Sequence, residues 1–276
     1  MLKVKDVFYS YDDGTTALNG INLEVKKGEI VALLGKNGAG KSTLFLQFNG
    51  ILRPDSGEIL IDGKQLKYNK KSLVNARQKV GIVFQNPDDQ IFAPTVEEDV
   101  AFGPLNLKLP IDEVRKRVTD ALRRVGMEGF EKKAPHYLSG GQKKRIAIAG
   151  ILAMKPEIMI LDEPMAGLDP VGAAKIINLL KELNEEGITI LISTHDVNII
   201  QDYVDKIFII NDGEIIGDGC PEDIFSKKDL LKKAHLKLPI IARLFEKLED
   251  NNIIQCNGEY PLTVDDAYLE IEKYLK

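Results

Sequence analysis

Residues 35–43 read Gly35-Lys36-Asn37-Gly38-Ala39-Gly40-Lys41-Ser42-Thr43 and match the pattern G-x-x-x-x-G-K-[ST] at every position. The apolar run Ile30 to Leu34 precedes them, and the helix-compatible run Leu44 to Asn49 follows. A strand, a glycine-rich loop and a helix in this order form the phosphate-binding loop of nucleotide hydrolases. The alternative is an ordinary glycine-rich turn, which would not require a strand before it and a helix after it. We therefore expect residues 35–43 to bind the phosphates of a nucleotide.

The residue types of this loop suit a triphosphate bound with Mg²⁺. Glycines let backbone N–H groups surround phosphate oxygens, and the following helix adds the partial positive charge of its N-terminus. Lys41 is expected to reach the β- and γ-phosphates, and Ser42 is expected to hold Mg²⁺ through its hydroxyl group.

Apolar runs of strand length recur along the first two thirds of the chain, with helical segments between them. They are Ile30 to Leu34, Val80 to Phe84, Ile158 to Leu161, Ile188 to Ile192 and Ile207 to Ile210. Continuous apolar runs predict strands buried on both faces, so we expect an α/β fold with a mostly parallel core sheet. Apolar and polar residues alternate instead at Leu2 to Val7, Ile21 to Val25 and Glu58 to Ile61, which predicts an antiparallel β layer near the N-terminus.

Two helices have recognisable ends. The apolar positions that follow Asp112 fall on one helical face, and Gly126 is placed to end that helix. The other helix is predicted to start with Asp169 as N-cap and Pro170 as its first residue, and to end near Gly187.

Two adjacent acids, Asp162 and Glu163, follow the apolar run Ile158 to Leu161. Carboxylates at the end of a buried strand are costly without partners, so a cation or a reacting water nearby is the natural explanation. Asp162 is the candidate that holds Mg²⁺, either directly or through one of the ion's ligands. Glu163 is the candidate that polarises the attacking water, a role worth about 10²–10⁴-fold in rate. The alternative, that both acids only cap the turn before Pro164, does not explain the phosphate-binding loop.

Three further side chains are candidates for the nucleotide site. His195 follows another core strand and could contact the γ-phosphate, although a lone histidine is more often structural. Gln85 follows the run Val80 to Phe84, where an amide could contact both Mg²⁺ and water. Tyr11 could stack on a purine, with Phe8 and Tyr9 as competitors for that role.

A second glycine-rich loop, Leu138-Ser139-Gly140-Gly141-Gln142, precedes a helix-compatible segment that extends to Met154. It forms a second helix N-terminus suited to an anion. The alternative is a tight turn in which Gly140 and Gly141 only permit the entry into the helix. The basic run Lys143-Lys144-Arg145 that follows is predicted to be an exposed, solvated face rather than a nucleic-acid patch.

Taken in order, these motifs resemble those of an ATP-binding-cassette (ABC) ATPase. They are the Walker A loop from Gly35, the signature Leu138 to Gln142, the Walker B acids Asp162-Glu163, the D-loop Ala166 to Asp169, and the switch His195. The resemblance covers about residues 1–220 and implies a P-loop nucleotide hydrolase fold with a helical signature subdomain at about 86–155. It also implies ATP and Mg²⁺ as cofactors, with nucleotide contacts from Tyr11, Gly35, Asn37, Gly38, Gly40, Lys41, Ser42, Thr43, Ser139, Gly140, Gly141, Gln142 and Asp169.

The family resemblance gives the second loop a partner. In this family the signature faces the γ-phosphate held by the Walker A loop of another domain, and this chain has one of each. The resemblance therefore implies a head-to-tail dimer with two ATP molecules between the subunits. That dimer is either a homodimer or a heterodimer with a related ABC ATPase.

The segment Asn86 to Pro104 resembles the ATPases of energy-coupling-factor importers, above all those of the cobalt and nickel transport type. Its apolar residues Ile91, Phe92 and Phe102 are expected to anchor a short helix of an integral membrane transport subunit. The solute is predicted to be cobalt, with nickel or a vitamin as alternatives. Residues 221–276 are predicted to form a small C-terminal extension, since Tyr260 to Ala267 resembles the end of that family's extension.

Composition narrows the functional classes. The net charge of −5, with basic residues interleaved with acids, disfavours nucleic acid as a partner. Two separated cysteines, Cys220 and Cys256, disfavour a disulfide framework. No apolar run approaches the roughly 20 residues that span a bilayer. We expect a peripheral protein on the cytoplasmic face of the cell membrane, where another chain provides the crossing.

Two other functions remain open from the sequence. A soluble ABC ATPase acting on nucleic acid or ribosomes is the alternative, although the short spacing between Lys41 and Ser139 leaves no room for a long coiled-coil insertion. A regulatory cassette that binds ATP without hydrolysing it is the other, and the intact Lys41, Asp162, Glu163 and His195 argue against it.

Overall fold

Two β-sheets organise the fold in the computed structural model, which describes residues 1–256 and 258–275. The smaller sheet is antiparallel and has the order β2-β1-β4-β5. Its strands are β1 (Leu2–Ser10), β2 (Thr16–Val25), β4 (Ser56–Ile61) and β5 (Lys64–Gln65). The predicted antiparallel layer is thus confirmed, with the short β5 added at its edge.

The larger sheet carries the predicted parallel core. Its strands are β3 (Ile30–Leu34), β6 (Val80–Val83), β7 (Ile158–Asp162), β8 (Thr189–Thr194), β9 (Lys206–Asn211) and β10 (Glu214–Gly219). The order is β10-β9-β3-β8-β7-β6, and every neighbouring pair is parallel except β10 with β9. The sequence analysis missed β10, because this half-exposed edge strand has two glycines and no continuous apolar run.

The hydrophobic core lies on both faces of the larger sheet. Alternate residues of β3 enter two different clusters: Ile30, Ala32 and Leu34 join one, while Val31 and Leu33 join the other. This arrangement explains why the β3 sequence is apolar at every position. The second cluster also takes in apolar residues of β1 and β2, so the antiparallel layer packs over one face of the core sheet.

Ten helices surround the sheets in the described ranges 1–256 and 258–275. They are α1 (Lys41–Phe48), α2 (Lys70–Lys79), α3 (Val96–Asn106), α4 (Ile111–Arg124), α5 (Gly140–Leu152), α6 (Pro170–Glu185), α7 (Pro221–Ser226), α8 (Lys228–Lys233), α9 (Ile240–Asp250) and α10 (Val264–Leu275). In the part of the chain that the structure describes, no helix has the length and apolarity that a membrane crossing needs.

Helices α3, α4 and α5 form a packed group between β6 and β7. The apolar face predicted for α4 is confirmed, since Val114, Val118 and Leu122 are buried. Gly126 follows its C-terminus with a φ of 64°, a left-handed value that glycine adopts without strain. These helices occupy the range in which the signature subdomain was expected.

Helices α7, α8 and α9 and the segment before α10 contribute to the same core as the rest of the chain. Ile224, Phe225, Leu231 and Leu262 are buried members of the larger hydrophobic cluster. Thr263 caps the start of α10, because its hydroxyl accepts a hydrogen bond from the backbone N–H of Asp266 at 3.1 Å. The division of the chain at residue 220 stays a prediction.

Candidate functional site

The loop between β3 and α1 needs glycine at two positions for steric reasons. A Cβ atom on Gly35 would collide with the carbonyl oxygen of Ile210. Gly40 caps α1 with a φ of 106°, and a Cβ atom there would lie 2.6 Å from the carbonyl oxygen of Ala17. The chain therefore passes close to β9 and β2 in a path that side chains would block.

Lys41 begins α1, and its ammonium group folds back over the loop. Its Nζ donates hydrogen bonds to the carbonyl oxygens of Gly35 at 2.7 Å and Lys36 at 3.1 Å. The same atom lies 3.7 Å from Oε1 of Glu163, and both side chains are buried. Burial lowers the pKa of Lys41, although the carboxylates of Glu163 and Asp162 oppose that shift. The structure thus brings the predicted loop lysine and the predicted catalytic acid together.

The other loop residues differ in their exposure. Asn37, Gly38 and Ser42 are exposed, whereas Thr43 is buried on α1. The exposed residues of this short segment include Asn37 with its amide and Ser42 with its hydroxyl, next to the start of α1. A bound phosphate chain requires hydrogen-bond donors grouped in this way.

Asp162 and Glu163 lie at the carboxyl end of β7, next to Ser193 of the neighbouring β8. The Ser193 hydroxyl is buried and connects both acids. It donates to Oδ1 of Asp162 and accepts a hydrogen bond from the backbone N–H of Glu163 at 2.8 Å. Glu163 has a φ of 47°, a left-handed value that is rare for a residue with a side chain. The sequence did not predict this role of Ser193. The available signal was its position directly before Thr194 and the predicted site residue His195.

His195 follows β8 and contacts the same carboxylate as Lys41. Its Nδ1 lies 3.0 Å from Oε1 of Glu163, and 57% of its side chain is exposed. One carboxylate oxygen of Glu163 thus faces two nitrogen atoms from different elements, at 3.7 Å and 3.0 Å. Lys41, Glu163 and His195 thus form one cluster, and their roles stay predictions.

Tyr11 is the aromatic residue that lies against the phosphate-binding loop. Its hydroxyl group is 2.8 Å from Oγ1 of Thr43. Its ring packs edge-on against Tyr9, with centroids 5.2 Å apart, and 41% of Tyr11 is exposed. Of the two competitors, Tyr9 packs against the core and Phe8 covers Gly20. The contact with Thr43 distinguishes Tyr11 from both.

Gln85 is exposed just after β6, which pairs with β7 in the core sheet. A neighbouring amide, Gln90, fastens this segment. Its Oε1 accepts from the backbone N–H of Phe84 at 3.0 Å, and its Nε2 donates to the carbonyl oxygen of Ala147 at 3.4 Å. Gln90 connects the end of β6 with α5, a contact that the sequence did not reveal.

Three predicted ligands offer oxygen atoms of the kinds that Mg²⁺ binds. This ion takes a few hydroxyl, carboxylate or amide oxygens and completes its octahedron with waters and substrate phosphates. Ser42, Asp162 and Gln85 supply one hydroxyl, one carboxylate and one amide. No group of three or more His, Cys, Asp or Glu residues forms a metal cage among residues 1–256 and 258–275. These donors therefore fit an ion shared with a nucleotide.

The signature loop, residues 138–142, forms a separate site at the start of α5. Ser139 and Gln142 make a capping box: the Ser139 hydroxyl accepts from the Gln142 N–H at 3.3 Å, and the Gln142 side chain accepts from the Ser139 N–H at 2.9 Å. The predicted contact from Gln142 would therefore compete with this cap. Gly140 is exposed, and Gly141 is half-buried against Leu168.

A cavity of about 460 Å³ lies between the signature loop and the predicted D-loop. Its walls include Ser139, Gly141 and Asp169, and none of its lining residues belongs to residues 35–43. Asp169 caps α6 as predicted, since its Oδ1 accepts from the Gly172 N–H at 2.5 Å. Within one chain, the two glycine-rich loops therefore line different sites.

The basic run at the start of α5 differs from the prediction of a solvated face. Lys144 is 3% exposed, so that prediction is wrong for this residue. Lys143 pairs with Asp88 at 2.6 Å, and Arg145 donates to the carbonyl oxygens of Val125 and Gly126 at 3.3 Å. Each residue binds a different element, because α5 lies between several neighbours.

Of the expected docking residues, Phe102 lines an apolar groove. Phe92 and Phe102 are 66% and 49% exposed, and their rings make a T-shaped pair with centroids 4.7 Å apart. Ile91 is half-buried and packs against the core, so it is less available as an anchor than predicted. Asp99 holds the turn before α3 by accepting from the N–H groups of Phe92 and Ala93 at 3.0 and 3.1 Å.

The groove beside Phe102 has a volume of about 600 Å³. Its walls come from α2, β6, α3 and α5, and apolar residues dominate them, among them Ile51, Val74, Ile82, Phe84 and Met154. Arg77 adds a positive charge and donates to the carbonyl oxygen of Gly50 at 3.3 Å. We call this surface the docking groove.

Comparisons with known proteins agree with this geometry. Residues 18–166 match the family model described as ABC transporter. The chain is 60% identical over 276 residues to the energy-coupling factor transporter ATP-binding protein EcfA of Methanocaldococcus jannaschii, covering 100% of this chain and 98% of that protein.

Solved structures give the same result. CbiO1 from Clostridium perfringens, described as part of the ABC transporter complex cbiONQ, matches with a TM-score of 0.76 at 52% identity, over 89% of this chain and 98% of that one. The ATP-binding cassette MJ0796, as a dimer bound to ADP and Pi in a post-hydrolysis state, matches with a TM-score of 0.74 at 35% identity, over 80% of this chain and 99% of that one.

Proposed function

Because the chain belongs to the ABC transporter family, as an ATPase of the energy-coupling-factor type, we propose that it is the subunit that powers a membrane importer. Two copies, or one copy and a related ABC ATPase, close around two ATP molecules and reopen after hydrolysis. One observation supports this proposal above all. Different parts of one chain form the signature cavity and the cluster of Lys41, Glu163 and His195. Each is then half of a site that a second chain completes.

In the proposed reaction, the phosphate-binding loop and Tyr11 position the substrate ATP. Backbone N–H groups of residues 35–43 surround the phosphates, and Lys41 exchanges the carbonyl oxygens of Gly35 and Lys36 for phosphate oxygens. Tyr11 stacks on the purine while its hydroxyl stays within reach of Thr43. Thr43 is buried on α1 and keeps the ring next to the loop.

Glu163 accepts a hydrogen bond from the attacking water and orients it, while the water oxygen bonds to the γ-phosphorus and ADP leaves. Its carboxylate is well placed for this role, because Ser193 and the strand end fix its backbone. His195 has two ring nitrogens: Nδ1 faces Glu163, and Nε2 is available for a γ-phosphate oxygen. Mg²⁺, held by Ser42, Asp162 and Gln85, would neutralise charge on the β- and γ-phosphates.

The signature loop supplies the other side of the site. Ser139, Gly140 and Gly141 present a helix N-terminus that is already ordered by its capping box. An N-terminus of this kind attracts anions, and the γ-phosphate held by the partner is the anion that the dimer would bring there. Asp169 lines the same cavity and would lie at the interface between the two chains.

Glu163→Gln tests this model. It removes the negative charge and keeps the shape, so we expect a stable ATP-bound dimer with little hydrolysis. Size-exclusion chromatography with light scattering, with and without ATP, measures the change in mass. A variant that stays monomeric at saturating ATP would contradict the composite site.

A mixing experiment tests the sharing of sites. Lys41→Ala removes the phosphate contact of one chain, and Ser139→Arg blocks the signature of the other. A mixed dimer retains one intact composite site, so we expect the mixture to hydrolyse more ATP than either variant alone. Cross-linking of the mixed dimer before the assay establishes that both variants are in one particle.

We propose that the docking groove receives a short helix of the membrane subunit. Its exposed aromatic pair and apolar walls suit an amphipathic helix, and the partner provides the membrane crossing. This places the protein on the cytoplasmic face of the membrane as a peripheral subunit. The proposed solute is cobalt, with nickel or a vitamin as alternatives.

A soluble ABC ATPase acting on nucleic acid is the less supported function. The one basic run that suggested a nucleic-acid patch is engaged with protein groups at Lys143, Lys144 and Arg145. The net charge of −5 also opposes phosphate-backbone binding.

A further inference from the structure

Lys144 is a buried cation to which the proposed reaction assigns no role. It lies on α5, two residues after the signature loop, and is 3% exposed. Its Nζ donates to the carbonyl oxygens of Glu163 at 3.1 Å and Ala166 at 3.0 Å. Burial lowers the pKa of Lys144, while the carboxylates of Glu163 and Asp162 oppose that shift. An apolar side chain would fill this position without the cost of removing a charge from water.

The two carbonyl groups that Lys144 binds mark the ends of one tight turn. Within that turn, the N–H of Ala166 donates to the carbonyl oxygen of Glu163 at 3.1 Å. The turn begins at the left-handed residue Glu163, whose N–H is bound by Ser193 at 2.8 Å. Side chains from two different elements therefore hold both backbone polar groups of Glu163.

We propose that Lys144 is a positioning residue that links the signature helix to the hydrolytic glutamate of its own chain. This inference rests on the composite site proposed above. In that arrangement, the signature loop of a chain contacts one ATP, while Glu163 of the same chain acts on the other. The hydrogen bond from Lys144 to Glu163 then directly connects two ATP sites, because each of the two residues belongs to a different one. A shift of α5 when it contacts ATP moves the backbone from which the Glu163 carboxylate projects.

Substitution of Lys144 separates positioning from substrate binding. Lys144→Met keeps the length and the apolar stem but removes the donors. We expect kcat for ATP hydrolysis to fall by about 10- to 100-fold, the effect of a misplacement of about 1 Å, with KM for ATP unchanged. Lys144→Arg keeps the donors and is expected to recover most of the lost kcat. A wild-type kcat in Lys144→Met, or a loss that appears in KM, overturns the proposal.

Lys143→Met is the matched control. It makes the same chemical change on the preceding residue of α5, where it removes only the ion pair with exposed Asp88. We expect it to retain the wild-type kcat, and a loss equal to that of Lys144→Met would overturn a specific role for Lys144. Lys144→Gln covers the case in which the Met variant does not fold. Its shorter amide should also lower kcat at unchanged KM, and a wild-type kcat there overturns the proposal.

A double variant distinguishes this inference from the composite site itself. Glu163→Gln combined with Lys144→Met should still form the ATP-bound dimer, because both glycine-rich loops remain intact. Loss of the dimer in the double variant alone would mean that Lys144 supports the signature loop, which overturns the positioning of Glu163. If the single variant Glu163→Gln does not form the dimer, the composite site is overturned. The kcat comparison at Lys144 would then still decide the role of that residue.

Discussion

Nδ1 of His195 lies 3.0 Å from Oε1 of Glu163, although 32 residues separate the two in the chain. Glu163 is buried, whereas 57% of the His195 side chain is exposed. The contact therefore connects the interior of the core sheet with its surface, at the edge where β7 and β8 end.

Removal of the imidazole tests what this contact does. We expect His195→Ala to lower kcat by about 10²-fold, because Glu163 loses the neighbour that orients it and the phosphate loses a donor. Nucleotide affinity should change little, since the loop residues that hold the phosphates are intact. Phosphate release and binding of a fluorescent ATP analogue measure the two quantities.

The control for this prediction is His235→Asn. His235 is exposed and has a φ of 55°, and asparagine tolerates that left-handed value. Wild-type hydrolysis in His235→Asn and in His195→Ala alike would show that the Glu163 contact is dispensable.

Ser193 holds two acids with one buried hydroxyl group. Ser193→Ala leaves Oδ1 of Asp162 and the N–H of Glu163 without this partner, so we expect a loss of about 1–3 kcal/mol in the free energy of unfolding. Chemical denaturation followed by circular dichroism measures it. Ser226→Ala removes an exposed hydroxyl of α7 and should stay within about 0.5 kcal/mol of the wild type. Equal stability of the two variants would contradict the role of Ser193.

Tyr11 offers two separable contributions to ATP affinity. Tyr11→Phe keeps the ring and loses only the hydroxyl contact with Thr43, whereas Tyr11→Ala also loses the stacking surface. We expect Tyr11→Ala to weaken ATP binding by about 10-fold or more, in line with the worth of one stacked base, and Tyr11→Phe to change it much less. Isothermal titration calorimetry measures both. Equal losses in the two variants would assign the effect to the hydroxyl group instead.

Ser42 is expected to set the Mg²⁺ requirement. Ser42→Ala removes one proposed oxygen ligand, so we expect a higher Mg²⁺ concentration for half-maximal hydrolysis, by about 10-fold. Titration of Mg²⁺ at fixed ATP measures the shift, and EDTA should abolish hydrolysis by the wild type. An unchanged Mg²⁺ curve would remove Ser42 from the proposed ligand set.

The docking groove makes a prediction that is independent of hydrolysis. A charge at Phe102, in the variant Phe102→Asp, should release the protein from its membrane subunit, because the groove would then expose a carboxylate to an apolar helix. Basal hydrolysis by the purified protein should remain. Ile240→Asp introduces the same charge at an exposed apolar residue of α9 and should leave co-purification intact. Retention of the membrane subunit by Phe102→Asp would contradict docking at this groove.

The sequence predicted most of the fold and the order of the site motifs. Strand β3 was found because it is apolar at every position, and the start of α6 was found because Asp169 and Pro170 are a local signal. The helix α3 was missed, since it contains Gly103 and Pro104 and its first turn is acidic rather than apolar. The signals that identified β3 and α6 are local and do not depend on tertiary contacts, so they are visible in the sequence.

Tertiary contacts explain what the sequence did not predict. Lys144 looks like a surface residue because it lies within a basic run, and its burial depends on the turn after β7, which is distant in sequence. Ser193 has an ordinary place at a strand end, and its role depends on the register of β8 with β7. Both contacts join elements that only the folded sheet brings together.

The left-handed backbone of Glu163 has a consequence for attempts to stabilise the protein. A side chain in that conformation costs about 1–2 kcal/mol relative to glycine. Glu163→Gly would relieve this backbone cost, but it would also leave the buried Lys41 without its carboxylate neighbour and, in the proposed mechanism, abolish hydrolysis. The backbone strain at Glu163 is thus tied to the proposed turnover rather than to stability, so a stabilised variant of this chain should be sought at other positions.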